Sequence, residues 1–475
     1  MHRLGGCDIS EALFYHTAET LLEAYSAKRL SPVEAVSAVL ARIDAVNPAL
    51  NAFCFRDDET ALRLAAESEA RWARGDPAGP LDGVPTPVKD IFHTKGWPTL
   101  MGSKAVDPAG PWEVDDPAVA RMREAGAVLI GKTTLPEFAS SGVTNSPLTG
   151  ITVTPWDASR NAGGSSGGTA AAIAAGMGPL GIGNDAAGSI RTPACFCGIV
   201  GFKPTFGRVP IYPGTDLGQL SATGPMARTV RDAALLMTVI AGADARDPMA
   251  LPPDGRDYLD GIEDGVEGLR IALSLDLGYS PYLDPEIAIA VRQAGESFAA
   301  LGARVEEANP EMPNPLPSYE ILWLAAAASL LRDLTPEQIE RLGPELRGMQ
   351  NAAERFSALD YMDMMTVRNQ VEASLRRFLT DYDLLLTPTD VVPPFAAALE
   401  APPFWKDEWT FMWEPLTFVF NYSRQPALSV PCGFSTDGLP IGLQIAAGAG
   451  SDGLVLRAAR AFERENPLHE RHPPL

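Results

Sequence analysis

Apolar residues recur along this chain in two rhythms, one helical and one strand-like. Ser31-Pro32-Val33-Glu34 reads as an N-cap, a proline at the first helical position and a capping-box glutamate. Val33, Val36, Leu40 and Ile43 follow at helical spacing, and Asn47-Pro48 is expected to end the helix. A second amphipathic helix is predicted over 59–74. From about residue 81, short apolar runs such as Val128-Leu129-Ile130 alternate with helical patterns such as 116–126, and glycines crowd the joins. That alternation predicts a sheet with helices on both faces. Gly83-Val84-Pro85-Thr86-Pro87-Val88 reads as one strand, and others are predicted at 269–273, 383–386, 428–431 and 441–445. Thr229 and Asp232 open another capped helix, and 454–463 reads as a last one. The two prolines of 469–475 are expected to end ordered structure. The stretch 275–380 is more helical and poorer in glycine, in the manner of a cap or insertion on the sheet. With no linker-like stretch and no repeat of fixed period, 1–475 is read as one α/β domain.

Composition narrows the classes open to such a fold. Hydrophobic residues at 46% and charged residues at 21% supply an ordinary globular core and surface. A net charge of -22 argues against a nucleic-acid backbone or an anionic membrane as partner, since both call for a basic face. The carboxylates are scattered, with no run of five or six, and read as a solubilising surface. Cys7, Cys54, Cys195, Cys197 and Cys432 are odd in number and lack framework spacing, so a reducing cytoplasm is the expected location. Cys195 and Cys197 read as small buried hydrophobes. The N-terminal stretch has no apolar run long enough for a signal peptide, and no run elsewhere is long enough to span a membrane. No group of histidine, cysteine and carboxylate has ligand spacing, so neither metal nor cofactor is expected.

The chemistry concentrates in 161–191, NAGGSSGGTAAAIAAGMGPLGIGNDAAGSIR, where missing side chains let backbone approach backbone or ligand closely. A phosphate loop fails because Thr169 stands where that motif requires lysine. A nucleophile elbow is matched by both Ser165 and Ser166, yet it needs a later histidine. Of His2, His16, His93, His469 and His472, only the two in the tail follow the serines. The third reading is a serine activated by a lysine whose pKa burial lowers. Lys89, at the end of an apolar strand, is the candidate. Taken alone it reads more simply as a surface lysine paired with Asp90, because lysine is rarely fully buried.

GGSSGG at 163–168, DAAGSIRTPA at 185–194 and the upstream VKD at 88–90 together resemble the amidase-signature family. Further likenesses are GFKPTFGRVP (201–210), GPMARTVRDAALLM (224–237), DLLLTPT (383–389), NYSRQPALSVPCG (421–433) and GLPIGLQI (438–445), so the resemblance is weakest over 275–380. It implies a large mixed β-sheet flanked by helices on both faces, with 81–240 as the catalytic core. It implies Ser189 as nucleophile forming an acyl-enzyme, Ser165 as a bridging serine that follows a non-proline cis peptide, and Lys89 as base. The backbone N–H groups of Ala186, Ala187, Gly188 and Ser189 would form the oxyanion hole. Ser166 is expected to support the triad by hydrogen bonding, and Asp185 and Arg191 to form a structural ion pair. Two residues depart from the usual family pattern: Asn184 replaces a threonine and Ala187 a glycine. Asn184 can both donate and accept, and the Ala187 methyl is expected to narrow the floor of the site. A similar NDAAGS variant occurs in relatives that hydrolyse nylon oligoamides.

The implied partner is a small amide, apolar or aryl, with an aryl carbamate or ester as the alternative and a homodimer left open. Trp405, Trp409 and Trp413 are spaced to form either a core face or a substrate entrance, and 212–223 is a candidate specificity loop. The glutaminase subunit of a tRNA-dependent amidotransferase is the rival. That subunit usually carries SLDQ before its GP motif, where this chain has Gly218-Gln219-Leu220-Ser221-Ala222.

Overall fold

The computed structural model describes residues 12–214, 219–406 and 413–475. Its strands, in chain order, are β1 Phe53–Arg56, β2 Pro85–Lys89, β3 Val128–Thr133, β4 Asn145–Ser146, β5 Gly150–Ile151, β6 Leu180–Asp185 and β7 Val200–Lys203, then β8 Ala222–Ala227, β9 Arg270–Leu273, β10 Arg304–Glu307, β11 Leu384–Pro388, β12 Ala427–Phe434 and β13 Pro440–Ala446. Eleven of them form one mixed sheet in the order β1-β3-β2-β6-β8-β7-β12-β13-β11-β9-β10, while β4 and β5 pair separately. The β3-β2-β6 and β11-β9-β10 runs are parallel, and the remaining neighbours are antiparallel.

The strands are apolar on both sides because helices cover both sides. Leu129 packs into one core cluster while its neighbours Val128 and Ile130 pack into another. Leu384 and Leu386 likewise face one cluster and Leu385 the opposite one. The first cluster is covered by helices that include Val230–Ile240, Pro285–Ala300 and Asp452–Glu465. The opposite face carries Pro32–Leu50 and Gly167–Ala174 at one end and Leu316–Leu331 and Ala358–Asp381 at the other. Among the described residues, no helix is long and apolar enough to cross a membrane.

Several local expectations change. The Ser31–Glu34 capping box is present, but the helix runs past Pro48 to Leu50. Asn51 ends it in the left-handed region (φ 53°), and the Asn47 side chain accepts from the Ala52 and Phe53 N–H groups. Proline in a last turn removes only one helical bond, so these asparagines set the end. The segment 275–380 is not wholly a cap, because Pro285–Ala300 packs in the first cluster and β10 closes one edge of the sheet. The strand β10, RVEE, escapes a hydrophobic reading because it is a charged edge strand. The tail does not end ordered structure: His472 stacks on Tyr15 at 3.8 Å and Arg471 lies over the Phe434 ring.

Candidate active site

Parallel strands carry ligand sites beyond their carboxyl ends, and β2 and β6 are adjacent and parallel, with Val88 opposite Ile182. Lys89 is the last residue of β2, and Asn184 and Asp185 are the last two of β6. Ser165 and Ser166 immediately precede the helix Gly167–Ala174, and Ser189 lies in the loop between β6 and the helix Arg191–Cys197. The Gly164–Ser165 peptide is cis. Glycine is required on both sides of the site. A Cβ at Gly164 would lie 2.8 Å from the Ser141 carbonyl oxygen. Gly188 sits at φ +137°, where a Cβ would lie 2.5 Å from Thr417 Oγ1.

Lys89 is fully buried. Its Nζ lies 2.7 Å from Ser165 Oγ, 2.9 Å from Ser166 Oγ and 2.7 Å from Asn184 Oδ1. All three neighbours are neutral. Burial pushes the amine well below the usual lysine range, and the charge of Asp185 offsets this only in part. The surface pairing with Asp90 is not made, since the Asp90 carboxylate lies 3.4 Å from Lys132 Nζ instead. Ser166 therefore touches the lysine itself and donates its backbone N–H to the Ser189 carbonyl at 3.1 Å.

The Ser189 loop is held by a buried ion pair. Arg191 donates from Nε to Asp185 Oδ2 at 2.9 Å and from its terminal nitrogen to Oδ1 at 2.8 Å, with both side chains fully buried. Its remaining donors reach the Thr417 carbonyl, Gln444 and Asn421. Burial would raise the Asp185 carboxyl, but Arg191 beside it holds it at about 2. Asp185 also accepts from the N–H groups of Gly188 at 2.8 Å and Ile190 at 3.1 Å. Gly188 is thus already engaged and drops out of the expected set of oxyanion donors. For the N–H groups of Ala186, Ala187 and Ser189, the described residues supply no acceptor.

Ser165, Asn184, Ala186 and Ser189 share the wall of a cavity of about 310 Å³, at the lower end of the range for small-molecule sites. Ala186 lines it and Ala187 does not. Ile91, Met101 and Phe138 also line it, as do Trp323, Ala326, Ala327 and Leu330 of the helix Leu316–Leu331, with Leu346. The sequence points to tryptophans at 405, 409 and 413. Trp413 is buried against Phe196 and Phe395, Trp405 packs at the margin of the same cluster, and Trp409 lies outside the described residues. The lining tryptophan is Trp323. Pro213, Gly214 and Ser221 of the expected specificity loop do reach the cavity; 215–218 lie outside the described residues.

His93 also lines the cavity, with its imidazole held below the usual range by burial and by Lys132. Chain order sets the histidines aside for one hydrolase class only, and so does not reveal this position. Among the described residues, no group of three or more histidine, cysteine or carboxylate side chains is placed to hold a metal ion. Cys54, Cys195, Cys197 and Cys432 are free, with Cys195 and Cys197 buried.

This arrangement, a buried amine and two serines at the carboxyl end of a mixed sheet, matches a known class. The profile of the Amidase family matches residues 34–456. The chain is 36% identical to an acylamidase of Rhodococcus erythropolis, covering 97% of this chain and 98% of that one. It is 37% identical to a glutamyl-tRNA(Gln) amidotransferase component of Chloroflexus aggregans, over 98% and 99% of the two chains. A solved bacterial aryl acylamidase of the amidase-signature family superposes with a TM-score of 0.90 at 30% identity, over 97% and 98% of the chains. The chain belongs to the amidase-signature family, and it is an amide-hydrolysing enzyme.

Proposed function

We propose that this enzyme hydrolyses small apolar or aryl amides through an acyl-enzyme on Ser189, with Ser165 and Lys89 relaying the proton. The observation that carries this reading is the Lys89 amine, buried among three neutral oxygens beside a cavity that Ser165 and Ser189 both line. A neutral amine has two N–H donors and one lone pair. Asn184 Oδ1 accepts one donor and Ser166 Oγ the other, which leaves the lone pair for the Ser165 hydroxyl proton. Ser165, having donated, can accept the proton of Ser189.

Ser189 Oγ then attacks the acyl carbon, and the N–H groups of Ala186, Ala187 and Ser189 face the developing oxyanion. One such donor is typically worth about 3 kcal/mol in the transition state. The relay returns the proton to the leaving amine, and water later releases the acid.

The wall of the cavity supports the substrate class. Among the described residues that line it there is no aspartate, glutamate, lysine or arginine. Free glutamine would have to place an ammonium and a carboxylate against that wall with no charged partner among those residues, which is costly. An apolar or aryl arm meets no such cost. The similarity to an acylamidase and to an aryl acylamidase points the same way. Aryl carbamates and esters present the same acyl carbon to the same groups and form the alternative.

A mass-spectrometric screen of aryl amides, alkyl amides, esters, carbamates and glutamine against wild type and Ser189→Ala tests the proposal. Aryl amides are expected to turn over in the wild type only. Preferential glutamine hydrolysis, or full turnover by Ser189→Ala, would contradict it.

A further inference from the structure

Next to the main cavity lies a smaller one of about 30 Å³, walled in part by Asp116, Asn184, Ser221 and Thr223. It shares Ile91, His93, Asn184, Pro213 and Ser221 with the main cavity, so the two adjoin along these residues. The volume suits one or two water molecules, which need two to four polar partners to be held.

Those partners are present. The Ser221 and Thr223 hydroxyls are both buried, and neither has a hydrogen-bond partner among the described residues. Leaving a buried hydroxyl unpaired is costly, and each such group in a folded protein calls for an explanation. The Asp116 carboxylate, 3% exposed, accepts from the Ala118 N–H at 2.8 Å and borders the same space. Asn184 borders it too, while its Oδ1 lies 2.7 Å from Lys89 Nζ. The chamber therefore abuts the lysine's own hydrogen-bond partner.

We infer that this chamber is a built water site, in which Ser221 and Thr223 hold the water that attacks the acyl-enzyme. The inference rests on the acyl-enzyme reading above. The water oxygen bonds to the acyl carbon, and one water proton passes to the relay that ends on Lys89. The bond from the carbon to Ser189 Oγ breaks, and that oxygen recovers a proton from the same relay. The products are the carboxylic acid and free Ser189, and nothing else is consumed. Ser221 and Thr223 are positioning residues, because they act through the water. Burial pushes the Asp116 carboxyl up to about 7, so it too can take up a proton at the chamber wall.

The test is a partition experiment with p-nitrophenyl benzoate in the presence of hydroxylamine, which reaches the acyl-enzyme through the main cavity. Wild type, the Ser221→Ala/Thr223→Val double variant and Thr223→Ser are compared by the ratio of benzohydroxamate to benzoate. That ratio is independent of the folded fraction. It is expected to rise about tenfold in the double variant, the scale of a lost hydrogen bond. The p-nitrophenol burst of Thr223→Val alone, since Thr223 does not line the main cavity, should stay within about twofold of wild type on the same scale, and Thr223→Ser should keep the wild-type ratio. An unchanged ratio in the double variant, with a wild-type acyl adduct on Ser189, overturns the water site alone. No acyl adduct in the wild type overturns the acyl-enzyme reading and the inference with it.

Discussion

Two lysines lie side by side in this sheet, both fully buried, and their surroundings oppose each other. Lys132 of β3 sits in register with Val88, one residue from Lys89 of β2. Lys132 donates to the Phe92 carbonyl at 2.7 Å and to Thr99 at 2.9 Å, and it has the Asp90 carboxylate at 3.4 Å. Lys89 meets two hydroxyls and an amide oxygen, with no carboxylate in contact. Burial lowers both amines, but at Lys132 the adjacent carboxylate opposes it, and at Lys89 only the more distant charge of Asp185 does. Burial is common to both, so the partners set the two apart: a carboxylate opposes the lowering at Lys132, while the proposed base, Lys89, touches only neutral groups.

Removing each lysine should separate the two roles. Lys89→Ala is expected to lower kcat/KM by about 10²- to 10⁴-fold, the usual contribution of a general base, in a protein that still unfolds cooperatively. Lys132→Met leaves Asp90 buried without its partner and should cost about 3–5 kcal/mol of stability. Its kcat, normalised by active-site titration, should stay near wild type. Urea denaturation and steady-state kinetics on both variants check the pair of outcomes. Equal kinetic losses would erase the distinction.

A finer test gives Lys89 the kind of partner that Lys132 has. The proposed base works when neutral, so activity should rise with pH as Lys89 loses its proton and then level off. Asn184→Asp puts a carboxylate against Nζ, favours the ammonium and should move the rising limb up by about 1–3 pH units. The sign for stability follows from the same shift. The unfolded lysine keeps its proton to about 10.4, and the folded amine loses it at lower pH. Folding therefore releases a proton between those values, and stability rises with pH across that window. Asn184→Asp should narrow the window, as read from urea denaturation at a series of pH values.

Six of the eleven strands of the sheet, β2, β3, β9, β11, β12 and β13, were legible in the sequence as short apolar runs, the mark of strands buried on both faces. The edge strand β10 was not, since an edge blunted by charge has no apolar rhythm. The motifs around Lys89, Ser165 and Ser189 could be read because together they resemble the amidase-signature family; the glycine-rich stretch alone left three readings open, and Lys89 by itself read as a surface residue. Gly188 was misplaced among the oxyanion donors because the sequence does not reveal that Asp185 accepts from it. The helical, apolar part of the cavity wall was not legible. Trp323, Ala326, Ala327 and Leu330 lie on a helix apolar all round, LPSYEILWLAAAASLL, whose sequence marks it as buried but not which face meets a ligand. The chamber at Ser221 and Thr223 depends on two hydroxyls from β8 and the segment before it meeting Asp116 from a distant part of the chain, and no local pattern records that.

The central claim is that Ser189, driven through Ser165 by a neutral Lys89, is the nucleophile. Labelling with a fluorophosphonate and locating the adduct by fragmentation of the tryptic peptide 161–191, which contains Ser165, Ser166 and Ser189, tests it most directly. The account predicts a single adduct on Ser189, absent in Ser189→Ala and formed far more slowly in Lys89→Ala; an adduct on Ser165, Ser166 or a residue elsewhere would contradict it.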